Sequence, residues 1–187
     1  LATSLFSTAV SSAVIDLLGL FTTFPPMDPL LACLYGGALA GVGLGLVGAG
    51  IPDIPLFIAM LLKSVYEIAL SYGYRYDTEE EKVFILRMIQ VAMLDDEAFL
   101  EANMEFNDLI DQIVADGDSL EGYRVDKIGQ MRATSEALSA EMMYTKFLQG
   151  TMIIGMAGGI FDPIYINRIS DYAVLKYRRR FLRKNMP

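Results

Sequence analysis

Asp53, Lys63 and Glu67 form the one polar constellation in this sequence that could carry chemistry. Two carboxylates beside an amine can exchange protons as general acid and base, and a desolvated lysine can act as a nucleophile. That chemistry is hydrolytic in type, and the three residues are best treated as a candidate ligand-binding cluster, with no catalytic residue assigned. Lys63 and Glu67 stand four apart, so on a helix they can pair across one turn, a contact that contributes about 0.3–0.5 kcal/mol when exposed. Asp53 lies between Pro52 and Pro55. With Pro55 as the expected first helical residue, ordinary capping does not account for it.

The remaining motifs are more useful for what they exclude. The 187 residues contain no histidine and one cysteine, Cys33, so a Ser-His-Asp triad, a Cys-His pair and the His-containing zinc sites cannot be assembled within them. Gly43 to Gly48 matches the dinucleotide fingerprint literally, but Pro52 follows where that loop must open into a helix. Asp116 and Asp118 resemble the start of a calcium loop, yet Glu121 stands where glycine is needed and Lys127 where the bidentate acid belongs. The acids from Glu97 to Asp108 oppose an apolar stripe and therefore point to water rather than to a metal. No metal and no cofactor is expected. A lone Cys33 inside an apolar run reads as a small core residue.

The elements that must position these groups are helices. The periodicity predicts a helix from Pro55 to Gly73, another from Glu79 through Met93, and a third over 97–114, where Phe99, Ala102, Phe106, Leu109, Ile110 and Ile113 share one side. Residues 126–148 repeat the pattern with Ile128, Met131, Leu138 and Met142. Thr78-Glu79-Glu80-Glu81 fits a reciprocal capping box, and Asp28-Pro29 and Asp162-Pro163 read as helix starts. No segment alternates with period two, so the expected fold class is all-α: one compact helical domain over 1–187, a fragment lacking its native N-terminus. Two apolar runs, 29–52 and 147–161, carry small residues four apart, namely Gly37, Gly41 and Gly45, and Gly155 and Gly159. That spacing bares the backbone on one face and predicts two Gly-rich, close-packed helices, in a soluble core or a membrane-inserted hairpin.

Charge is unevenly placed. The net charge is −8, which excludes general nucleic-acid affinity. Residues 1–175 hold 9 basic and 23 acidic groups, whereas 176–187 hold six basic groups and no acid. Those six, Lys176, Arg178, Arg179, Arg180, Arg183 and Lys184, end a helix whose apolar line is Ile166, Ile169, Ala173 and Tyr177. The expectation is a helix that docks first and then presents a basic end to an anionic membrane surface.

Leu46 to Pro55, Glu67 to Tyr74 with its Tyr72-Gly73-Tyr74 block, Asp77 to Leu86, and the run from Gly155 through Asn167, Ala173 and Arg179 resemble the EcsC protein family of bacteria. Where the family pattern has an acid after the second tyrosine, this chain has Arg75, so no role of that acid carries over. The resemblance implies association with a membrane or an ABC transporter and no reaction. The bottom-up account of Tyr72-Gly73-Tyr74 is plainer: Gly73 ends a helix and the tyrosines pack their rings beside it.

The leading functional reading is a non-catalytic accessory protein, peripheral to or partly inserted in the cytoplasmic face of the cell membrane, tied to an ABC transporter or to envelope homeostasis. A soluble carrier enclosing a lipid or hydrophobic peptide is the alternative. A hydrolase using carboxylates and Lys63 is the third.

Overall fold

The structure, a computed structural model, describes residues 53–120, 126–148 and 158–186, with 12, 15, 16 and 19 besides. Five helices account for almost all of this: α1 Asp53–Ser71, α2 Glu79–Ala92, α3 Asp96–Ala115, α4 Lys127–Leu148 and α5 Gly158–Asn185. No strand occurs among the described residues, and none of their helices is long and apolar enough to cross a membrane. Helix α5 is the organising element. It packs against α1, α2 and α3, while α4 covers α2.

The apolar stripes decide this packing. On α3, Phe106, Leu109, Ile110 and Ile113 are buried as the 3.6-residue period requires, with Phe99 and Ala102 packed at the margin of the core. On α5, Ile169, Ala173 and Tyr177 are fully covered. On α4, Met131 and Leu138 turn inward but Ile128 faces solvent, against expectation. The face that α4 lays on α2 is instead small and polar: Thr134, Ser135 and Ser139 are buried, and the Thr134 hydroxyl donates to the Leu86 carbonyl at 2.9 Å. Short side chains allow two helices to approach, and the hydroxyl is satisfied by the neighbouring backbone.

Helix ends are set by local chemistry. Gly73 and Gly117 adopt φ of +82° and +85°, the left-handed conformation in which glycine is least strained. At the first, Gly73 N–H donates to Leu70 O and Tyr74 N–H to Ala69 O; at the second, Gly117 N–H donates to Val114 O and Asp118 N–H to Ile113 O. Both are Schellman closures. Thr78 accepts from the Glu81 amide at 3.2 Å, one half of the expected capping box. The reciprocal half is not made, because the Glu81 carboxylate turns into the core. Removing the surviving half by Thr78→Ala should cost about 1 kcal/mol in urea denaturation, and an unchanged midpoint would show that the cap contributes nothing.

Two helix starts differ from expectation. Helix α1 begins at Asp53 rather than Pro55. Pro55 then sits in the first turn, where its missing N–H is one of the orphan donors, and Asp53 is an acid at the positive end of the helix dipole. Helix α5 begins at Gly158 and runs through Asp162-Pro163, which puts Pro163 in its second turn, where the proline's helical φ fits but one i→i−4 hydrogen bond is given up. Cys33, Asp28-Pro29, Gly37, Gly41, Gly45 and Gly155 lie outside the described residues; Gly159 is in the first turn of α5.

Candidate functional site

The candidate polar cluster is not brought together. Lys63 and Glu67 pair at 3.0 Å on the outer face of α1, both more than half exposed. Asp53 stands ten residues earlier on the same helix, about 15 Å of axial rise away, and its side chain is outside the described set. An exposed i,i+4 pair explains Lys63 and Glu67.

The chemically dense region is elsewhere, at the junction of α5 with the two glycine closures. Each closure delivers its next residue to the same guanidinium. Tyr74, after Gly73, lays its ring 4.2 Å from the Arg180 guanidinium carbon, and Asp118, after Gly117, accepts from Arg180 Nε at 2.7 Å. Helix α2 contributes Glu81, whose two oxygens accept from Arg180 Nη1 at 3.1 and 2.9 Å, while the Tyr177 hydroxyl donates to Glu81 at 3.0 Å. Phe84 closes the far side of the guanidinium at 5.2 Å. Arg180 and Glu81 are 3% and 4% exposed, so the ion pair is effectively removed from water.

Electrostatics follow from that burial. Burial works against the charge on Arg180, but Glu81 and Asp118 outweigh it and hold the guanidinium above its ordinary value. Burial pushes the Glu81 carboxyl up while Arg180 and Tyr177 pull it back. With both oxygens accepting from a guanidinium, the geometry holds the ionised form. The Tyr74 phenol is pushed up to about 12, by burial first and the Asp118 carboxylate second.

A second buried cation lies one turn earlier. Lys176 is 6% exposed; its Nζ donates to Asn103 Oδ1 and Asn107 Oδ1, each at 2.6 Å, and sits 4.6 Å from the centre of the Tyr172 ring. Its contacts are amides and a ring, with no carboxylate among them. Burial, helped by the charge of Arg179, lowers its pKa to about 8.

The expected free basic end is therefore largely docked. Arg179 forms a two-point contact with Asp111, Arg183 reaches the same carboxylate at 3.5 Å, and Lys184 meets Asp118 at 2.8 Å. Of the six, Arg178 alone is exposed without an ion pair among the described residues. Arg180 and Lys184 follow Tyr177 at helical spacing, and that line continues into the core as far as Arg180. The receiving set has no such local signal: Glu81 reads as a capping-box acid, and Asp118 as part of a failed calcium-loop match.

No group of three or more acids or cysteines arranged to hold a metal ion occurs among the described residues. The arrangement around Arg180 clamps α1, α2 and α3 to α5, and Arg180 Nε and Nη1, both Glu81 oxygens and both Asp118 oxygens in it are already occupied.

A family model described as the EcsC protein family matches residues 32–182. The chain is also 24% identical over 159 residues to the uncharacterised protein YdbA of Bacillus subtilis (strain 168), a match that covers 80% of this chain and 52% of that protein. The chain thus spans about half the length of the curated relative it matches. No solved structure matches it.

Proposed function

The chain belongs to the EcsC protein family, and from that premise and the end of α5 we propose that it is a non-catalytic module that rests peripherally on an anionic membrane surface. The observation that carries this reading is the pattern at the last two turns of α5. Phe181, Leu182 and Met186 are 42%, 39% and 68% exposed, and they are interleaved with Arg178, Arg183 and Lys184. Apolar side chains set among cations at one helix end suit the boundary between headgroups and acyl chains.

The membrane contact is narrower than the whole basic run. Lys176, Arg179 and Arg180 are held by the body of the protein, which leaves Arg178, without an ion pair among the described residues, and Arg183 and Lys184, paired with Asp111 and Asp118 but each more than half exposed, to meet lipid. At about 1 kcal/mol for each basic group near an anionic leaflet, these supply on the order of 3 kcal/mol before ordering costs, and insertion of the three apolar side chains adds to it. The non-catalytic part of the reading rests on the Arg180 cluster, whose ionised groups satisfy one another out of reach of a substrate, and on the dispersal of Asp53 from Lys63 and Glu67.

Vesicle co-sedimentation tests the proposal. The protein should bind phosphatidylserine-containing vesicles and not neutral ones, and Phe181→Ser with Met186→Ser, or Arg178→Gln with Arg183→Gln, should weaken binding about tenfold. Equal binding to both vesicle types, or either double variant binding as tightly as the parent, would refute it. Replacing Arg180 would be uninformative here, since it opens the core.

A further inference from the structure

Away from the basic end, the structure forms an open groove of about 320 Å3 between the start of α3 and the middle of α5. We propose that this groove docks a basic amphipathic segment of a partner protein, which seats an apolar side chain on Phe99, Tyr172 and Leu175 and reaches Asp96 and Asp171 with lysine or arginine.

The floor is apolar and fixed. Phe99 and Tyr172 meet edge to face at 5.9 Å, and the Tyr172 hydroxyl is held by Asn103 at 3.0 Å, so the rings cannot fold away into the groove. Leu175 is 61% exposed at its margin. The volume is at the small end of ligand pockets, about 300–1,000 Å3, which suits one or two side chains better than an enclosed ligand.

The rim sets the sign of the partner. Arg168 donates to Asp95 Oδ1 and to the Leu94 carbonyl, both at 2.7 Å, so the local cation is already committed to an acid and a backbone oxygen. Asp96 and Asp171 line the same groove, are exposed, and make no ion pair among the described residues. Two uncompensated carboxylates beside an apolar floor repel an anionic membrane or a nucleic acid and attract a cationic segment. The basic end of the same helix cannot serve as the occupant: Asp171 and Arg183 are twelve residues apart on one rigid helix, about 18 Å. That separation also exceeds the Debye length of about 8 Å at physiological salt, so groove and basic end act on different partners.

The test uses the whole chain and two synthetic amphipathic peptides with one leucine face, the polar face all lysine in one and all glutamate in the other, titrated by fluorescence anisotropy. The lysine peptide should bind saturably at one site and the glutamate peptide should not. Asp96→Asn with Asp171→Asn should weaken binding about tenfold, and Leu175→Ser should weaken it independently. Asn suits the Asp96 position, where φ is +48°, because asparagine tolerates the left-handed region; unchanged circular dichroism and melting will confirm the fold. Glu136→Gln, on the exposed face of α4, should leave affinity unchanged. An equal loss with Glu136→Gln would reduce the effect to general charge and overturn the site. So would binding that neither groove variant alters. Concentration-dependent dimerisation of the protein alone, abolished by the Asp96/Asp171 variant, would overturn the partner assignment in favour of a second copy of this chain.

Discussion

Replacing Arg180 with leucine is expected to destabilise the protein by about 3–5 kcal/mol, the usual cost of removing one partner from a buried ion pair. The cost comes from what is left behind. Glu81 keeps only the Tyr177 hydroxyl, and Asp118, whose side chain is 5% exposed, keeps only Lys184. The change also vacates the space between the Tyr74 and Phe84 rings. Against a typical domain stability of about 5–15 kcal/mol, a loss of this size is a fifth or more of the total, and urea denaturation will resolve it easily. Removing the acids together with the guanidinium is a different matter, since apolar replacement of a whole buried cluster is often neutral. Glu81→Met and Asp118→Asn added to Arg180→Leu should therefore recover most of the loss. A single Arg180→Leu variant within 1 kcal/mol of the parent would show that the cluster is not a clamp.

The helices were legible because their signals are local. A 3.6-residue stripe over 97–114 needs no knowledge of the partner, and the structure returns α3 as Asp96–Ala115 with the same inward residues. Gly73 and Gly117 likewise announce their turns, since the left-handed conformation has a cost that the residue type itself reveals. The site was illegible for the opposite reason. Glu81 and Arg180 are 99 residues apart, and each has a satisfactory local explanation, as a capping-box acid and as one of six solvated cations. Burial of charge is decided by which helices meet, and no spacing rule within one helix reports that. Asp53 illustrates the converse: the misfit at Pro52-Asp53-Ile54-Pro55 arose from starting α1 at Pro55, and it disappears when the helix begins two residues earlier.

The basic end shows how periodicity and burial can separate. Arg180 and Lys184 fall on the line of Ile169, Ala173 and Tyr177, yet the helix does not leave the core where the cations begin, since Arg180 is buried. The glycine closures after α1 and α3 extend the core by a further turn, because each presents a residue, Tyr74 or Asp118, that can accept a guanidinium by its ring face or its carboxylate. What remains for solvent is the adjacent stripe through Arg178, Phe181 and Leu182, and the proposed membrane contact follows that stripe.

Lys176 should give the protein a rise in stability with pH that Lys176→Met abolishes. The lysine is buried among Asn103, Asn107, Tyr172 and Phe106, with Arg179 on its own helix adding repulsion, and its pKa is lowered to about 8 from 10.5. Between those values the unfolded chain still binds the proton and the folded chain has released it. Stability increases with pH wherever the unfolded state holds more protons, so the charged lysine opposes folding at neutral pH and the opposition is relieved from about pH 8 upward. Tyrosines limit the window. Tyr74 is raised to about 12 and Tyr172 further still, both by burial, so they stay protonated in the folded protein while their unfolded counterparts ionise near pH 10, and stability falls again above that point. The expected profile rises from pH 8 to pH 10 and then declines. One pKa unit corresponds to about 1.4 kcal/mol, so the rise attributable to Lys176 is on the order of 2 kcal/mol. Lys176→Met keeps most of the apolar stem beside Tyr172 and removes the titrating group, so its stability should match or exceed the parent's at pH 7 and fall behind it by pH 10. Urea denaturation of both proteins at pH 7, 8.5 and 10 measures the difference directly, and parallel profiles would show that Lys176 stays charged in the folded protein throughout this range.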